Sequence, residues 1–351
     1  MQLLISITTK AETKTDLNKL FVVYDTHRKK VIRKLNFETS IRKNTNDAHR
    51  ATGMCYYENY WYAGIFCAKH RVGSKLLIVD LNNGKQSIAD LSLTKAIHSI
   101  HPLCKCKIYN MILACSTQND CISVITTIGT RVVTEDIYFD YLDAEKRLTL
   151  DWSLEYVWDD LLHANCVYVN NGDVYSCMFL DFKIGNKSFI TRKREHETKR
   201  KNAKRFSIEK LKKEIAVKRN GWRENKLEKQ GAVYNLTTQN ILALSSQPHS
   251  LIVNQFGKHI FCESGTFKLI NIDENKEAEC KGFTRGLCED KQRGGYWVGL
   301  SYHRVLSYKL KGAALQFINY DMQVKETLDL SSIGREIYDI IPFKNNKKWG
   351  G

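Results

Sequence analysis

The chain has 351 residues, 43% of them hydrophobic and 11% aromatic, which excludes a disordered polymer and supplies a sizeable core. Net charge is +16, but residues 187–219 hold 14 lysines and arginines against 4 glutamates, a local net of +10 that leaves only +6 elsewhere. No apolar run is long enough for a membrane helix, and the eleven cysteines form no paired CxxC motif, so the composition predicts no membrane span and no complete disulfide framework.

In chain order, Leu3–Ile7, Leu20–Tyr24 and Lys30–Leu35 read as three strands. The start Met1-Gln2-Leu3 lacks the basic opening of a signal peptide, and with the free cysteines this predicts a reducing, cytoplasmic setting. A patterned strand start follows at Ala51-Thr52-Gly53-Met54. Then comes Leu76–Leu81 ahead of Asn82-Asn83-Gly84, a hairpin signal because tight turns need residues that tolerate positive φ.

Further starts occur at Ile100-His101-Pro102-Leu103 and at Leu162-His163-Ala164-Asn165, with an aromatic and acidic loop around Trp152–Asp160 between them. Cys166–Val169 leads into Asn170-Asn171-Gly172, a second hairpin signal. The basic stretch 187–219 carries one helical periodicity, Phe206, Ile208, Leu211 and Ile215, with Ser207 as N-cap. The last starts are Gln247-Pro248-His249, Phe283-Thr284-Arg285 and Ile337-Tyr338-Asp339-Ile340.

Taking Gly53, His101, His163, His249, Arg285 and Tyr338 as equivalent gives steps of 48, 62, 86, 36 and 53 residues. A four-stranded propeller blade takes about 40 to 50. The pattern predicts one all-β domain over 1–351, a six-bladed β-propeller with the basic, partly helical insertion between its third and fourth blades. Too little chain follows Tyr338 for three more strands, so the N-terminal strands are expected to pair with the C-terminal one and complete the sixth blade. The three prolines, Pro102, Pro248 and Pro342, sit near inner-strand starts, where a missing ladder donor is tolerated.

Residues at the starts of inner strands converge on one mouth. His101, His163 and His249 there can offer three imidazole nitrogens to a divalent metal such as zinc. Arg285 suits an anion clamp, and Tyr338, Asp339 and Asn165 suit proton transfer or positioning. His98 is out of strand phase with His101 and is set aside. His70, His196, His259 and His303 read as surface or loop positions.

Two functions compete. One is a metal-assisted hydrolase or lyase acting on a small anionic ligand. The other is a non-enzymatic platform that holds an acidic protein or nucleic acid through 187–219. No P-loop, GxGxxG, HExxH or GxSxG motif is present.

Several pieces occur together and in order: His101, H-x-N at His163 and Asn165, G-W-R at Gly221–Arg223, P-H-S at Pro248–Ser250 and S-G-T at Ser264–Thr266. G-F-T-R-G-L at Gly282–Leu287, G-L-S at Gly299–Ser301 and Tyr338-Asp339 complete the set. In these the chain resembles a family of uncharacterised bacterial proteins, a domain of unknown function, for which the resemblance implies a propeller fold and no established activity.

Overall fold

The computed structural model describes residues 1–8, 17–45, 48–67, 74–94, 96–117, 121–140, 163–179, 231–301 and 312–344. These residues are nearly all β-structure, arranged as antiparallel sheets, with one short α-helix, α1 (Thr39–Asn44), and a 3-10 turn at Leu17–Lys19. The basic segment 187–219 with its predicted helix, the loop at Trp152–Asp160 and the G-W-R motif lie outside the described residues.

The strands fall into quartets of chain neighbours. The first is β4 (Ala48–Tyr57), β5 (Tyr60–Cys67), β6 (Ser74–Asp80) and β7 (Gln86–Leu91), and the second is β8 (Ile97–Lys105), β9 (Asn110–Ser116), β10 (Cys121–Ile128) and β11 (Arg131–Asp140). The third is β12 (Ala164–Asn170), β13 (Asp173–Met178), β14 (Gly231–Asn235) and β15 (Asn240–Ser245), and the fourth is β16 (Pro248–Val253), β17 (His259–Glu263), β18 (Lys268–Asn271) and β19 (Lys276–Glu279). The fifth is β20 (Phe283–Asp290), β21 (Gly295–Ser301), β22 (Ala314–Asn319) and β23 (Val324–Asp329).

The remaining quartet joins the two ends of the described chain. β24 (Glu336–Pro342) pairs along β1 (Gln2–Thr8), from Leu3 opposite Pro342 to Thr8 opposite Glu336. β1 in turn pairs with β2 (Phe21–Asp25), and β2 with β3 (Lys30–Lys34). A single pairing, Thr8 with Arg50, links this quartet to β4.

Both faces of most strands are buried, because each quartet packs against one neighbour on each side. β5 shows the consequence of the two-residue side-chain period. Trp61, Ala63 and Ile65 join Leu4 and Phe21 of the terminal quartet, while Tyr62 faces Ile112 and Ile125 of the second. This is why the strands read as apolar runs such as Leu76-Leu77-Ile78-Val79 rather than clean alternations. Trp61 lies edge-on to Phe21 at 5.0 Å, and Trp297 tilts over Phe317 at 5.1 Å. The interfaces run first to second, second to third, and onward through the fifth to the terminal quartet, which packs against the first again. The first strands follow the same cycle: β4, β8, β12, β16, β20 and β24 each pack against the next, and β24 against β4.

Three expectations change. The basic segment enters between β13 and β14, the middle strands of one quartet, and not between two quartets. His259 opens β17, half-buried, with its Nδ1 3.1 Å from an Asp273 carboxylate oxygen. Pro102 lies inside β8, opposite Ile112, on an innermost strand whose other edge faces no ladder partner.

Candidate functional site

Each first strand carries a β-bulge near its start. Against β9 the β8 register jumps from Ile97 to Ser99, against β13 the β12 register jumps from Ala164 to Cys166, and against β17 the β16 register jumps from His249 to Leu251. The same break passes over Gly286 in β20, Tyr338 in β24 and Thr52-Gly53 in β4. The extra residues are therefore His98, Asn165, Ser250, Gly286, Tyr338 and the Thr52-Gly53 pair. A bulge bends the strand and re-aims side chains. Here it brings Thr52, His98 and Tyr338 into the wall of one cavity.

That register explains which residues meet. His98 sits at the bulge, and its ring packs edge-on against His163 at 5.6 Å and against Tyr338 at 5.6 Å. His101, three residues further, turns away: its ring lies 4.6 Å from Tyr168 and its Nδ1 is 3.0 Å from the Pro102 carbonyl oxygen. Burial lowers its pKa to about 4. Among the described residues no three histidine, cysteine or acidic side chains gather as a metal-holding group.

The mouth holds a cavity of about 160 Å³ whose walls include Arg50, Phe66, His98, Thr117, His163 and Tyr338. Arg50 donates from Nη1 to the Tyr338 hydroxyl at 3.0 Å, and its guanidinium lies 5.6 Å from the Phe66 ring centre. Arg285 stacks 4.6 Å from the Tyr338 ring centre and 4.9 Å from that of Phe283. Its Nη1 is 3.8 Å from Glu336, and its Nε is buried with no hydrogen-bond partner. Phe179 stacks on His163 at 4.4 Å and meets His249 at 4.8 Å, joining the two histidines through one ring.

The tautomer of His249 follows from its neighbours. Ser264 Oγ lies 2.5 Å from the Thr284 carbonyl, which can only accept, so the serine proton goes there. His249 Nδ1, 2.6 Å from that Oγ and 3.2 Å from the Gln247 carbonyl, must then carry a hydrogen and donate it. This leaves Nε2 as a bare acceptor, buried and without a partner. Asn165 is a positioning residue: its Nδ2 donates to the His163 carbonyl at 2.7 Å, and His163 holds a left-handed φ of 51° immediately before β12.

Burial and neighbouring charges keep the His98 and His249 imidazoles neutral. Burial first, then the neighbouring His163, Arg285 and Arg50, holds His98 well below the ordinary histidine range, while a hydrogen bond with Asn165 works the other way. His249 is held down by burial, then by Arg285, His98 and His163.

Asp339 has a different place from its chain neighbour Tyr338. Its carboxylate accepts from the Met54 N–H at 2.8 Å and from its following Ile340 N–H at 2.8 Å. Its charge reaches Cys55, Cys166 and Cys288 on three other first strands, so it lies near the axis about which those strands gather. Burial raises its pKa to about 7, although both backbone donors pull it down. A carboxyl whose folded pKa lies above its unfolded one contributes stability that is full below the unfolded value and is lost as pH rises through about 7. Chemical denaturation at pH 5 and pH 8 should show this chain losing on the order of 2 kcal/mol more than an Asp339→Asn variant. Equal pH dependence of the two would show the carboxyl to be already ionised at pH 5.

No protein-family model matches the chain, and no curated protein matches it. Among solved structures it is similar to a protein of unknown function from Bacteroides caccae, at 9% identity and a TM-score of 0.51 over 98% of this chain and 99% of that one. It is also similar to a quinonprotein alcohol dehydrogenase-like protein from Bacteroides thetaiotaomicron (9% identity, TM-score 0.45, 95% of this chain and 76% of that one). A third is virginiamycin B lyase from Staphylococcus aureus (10% identity, TM-score 0.40, 81% and 71%). The first of these similarities extends over both chains almost completely and speaks to fold alone.

Proposed function

We propose that the chain is a six-bladed β-propeller whose mouth binds a small anion bearing a hydroxyl or other donor group, and that it acts there as a hydrolase or lyase through acid–base chemistry. The cyclic packing of the first strands and the β24–β1 pairing support the propeller reading. The observation that carries the function is a pair of buried atoms without a hydrogen-bond partner on two interacting residues, the Arg285 Nε donor and the His249 Nε2 acceptor. A buried polar atom without a partner costs about 1–3 kcal/mol, which a ligand supplying the missing partner recovers. In this reading Arg50 and Arg285 hold the anion, neutral His98 takes a proton, and Tyr338, steadied by both arginines, faces the reacting atoms.

Calorimetric titration with malate and with succinate tests it. Malate, which offers a hydroxyl, should bind at least tenfold more tightly, because a site built to pair a hydroxyl rejects the analogue lacking it. No heat with either acid at millimolar concentration would sink the reading. His98→Ala should abolish malate binding while His101→Ala leaves it within twofold, the reverse of what a His101, His163 and His249 site requires.

One observation favours the platform as a second reading. Phe179, which stacks on His163, and Gly231, close to the Met178 carbonyl and Pro248, flank one stretch of sequence. The sequence between them contains the basic 187–219. Salt-sensitive binding of polyglutamate that vanishes on deleting 192–213 would support it.

A further inference from the structure

A second concave surface lies on the outer rim, between β3 and β23, independent of the mouth. It forms a groove of about 560 Å³. Its apolar floor is accessible at Val31 and Ile333, which are half-buried, while Val22, Tyr24 and Leu330 are only 1–3% exposed. Its rim is basic, with Lys19, Lys29, Lys30 and Lys34 all exposed, against Asp329 as the one carboxylate in its lining.

Lys29 is already engaged, 2.6 Å from Glu326, which also takes Arg293 at 3.1 Å. Burial opposes ionisation of Glu326, yet these two cations hold its carboxyl below the ordinary range, so the bridge clips the rims of β3 and β23 together. Lys19, Lys30 and Lys34 make no ion pair among the described residues. β3 also pairs only with β2 there, which makes it an edge strand.

We infer that this groove docks an extended acidic segment of a partner protein in which carboxylates alternate with apolar side chains. The alternation follows from the two-residue strand period: one face of such a segment meets the apolar floor while the other meets the lysines. Nucleic acid fits less well, because Tyr24, the one aromatic ring in the groove, is only 3% exposed and cannot stack a base.

Fluorescence anisotropy with a fluorescein-labelled dodecapeptide of alternating glutamate and leucine tests the inference at low and high salt. Binding to the parent should weaken as salt rises, and Lys30→Glu/Lys34→Glu should weaken it at least tenfold. Lys85→Glu/Lys107→Glu makes the same charge change on exposed residues elsewhere and should alter affinity less than twofold. Equal losses in both variants would reduce the effect to net charge and overturn the inference, as would the absence of salt-sensitive binding. A twelve-nucleotide oligothymidylate that binds as tightly and is lost in the Lys30/Lys34 variant would assign the groove to nucleic acid instead. Malate binding at the mouth should be unchanged in every one of these variants, which separates failure here from failure of the proposed function.

Discussion

Arg285→Ala should weaken malate binding by about 10- to 100-fold, the range expected when a charge-assisted hydrogen bond is removed. Arg285→Lys should recover little of it. The guanidinium is wedged between Phe283 and Tyr338, with ring distances of 4.9 and 4.6 Å, and only a planar cation stacks on both while still offering a fork of donors. A lysine ammonium is a point charge and loses the stacking. A second readout needs no ligand. Arg285 is among the charges that depress His98 and His249, so its removal should raise both histidine pKa values, although burial, the larger cause, still keeps them below the ordinary range. Histidine-labelled NMR titration measures this directly. Unmoved histidine resonances together with unchanged binding would remove Arg285 from the site.

Gly53→Ala should cost about 3 kcal/mol of stability, a large effect for one methyl group. A Cβ on Gly53 would fall 2.4 Å from Ser99 Cα and 2.6 Å from the Ile100 nitrogen, and backbone cannot rotate aside as a side chain can. The substitution must therefore part β4 from β8 at the bulges that aim Thr52 and His98. Gly257→Ala is the comparison: its φ of +75° makes alanine strained, but nothing lies within 4 Å of the added atom. It should cost about 1 kcal/mol. Denaturant midpoints for the two variants check the ordering, and a Gly53→Ala protein as stable as its parent would show that the two strands can separate freely.

Much of the architecture was readable from residues because it depends on local chemistry. Asn171-Gly172 holds the tight turn between β12 and β13 with φ values of 51° and 89°, as an Asn-Gly hairpin requires. The strands expected at Leu3–Ile7, Leu20–Tyr24 and Lys30–Leu35 correspond to β1, β2 and β3 within one or two residues. His163, His249, Arg285, Tyr338 and Asn165 do gather at or beside one end of the sheets.

His98 was missed for a specific reason. Phase along a strand is counted in twos, and one extra residue at a bulge inverts that count for everything on its far side. His101 therefore looked equivalent to His163 while His98 occupied the place. A usable signal lay in the repeats themselves: Gly286 and Ser250, with φ of 69° and 39°, mark the break in β20 and β16. Tyr338-Asp339 hid a similar split. The bulged Tyr338 joins the mouth, while Asp339 turns inward to hold the Met54 amide.

The pairing of β24 with β1 also fixes an order of events during synthesis. β1, β2 and β3 leave the ribosome well before β24, yet Leu3, Ile5 and Ile7 bury their side chains with Ile337 and Ile340, about 330 residues later in the chain. Until those last residues emerge, β1 has an open hydrogen-bonding edge and a bare apolar face, the conditions under which nascent strands pair wrongly. Contacts so distant in sequence make for slow folding. Expression at low temperature, or with a holdase chaperone in excess, should therefore raise the soluble yield of the full chain far more than that of a circular permutant in which β24 directly precedes β1.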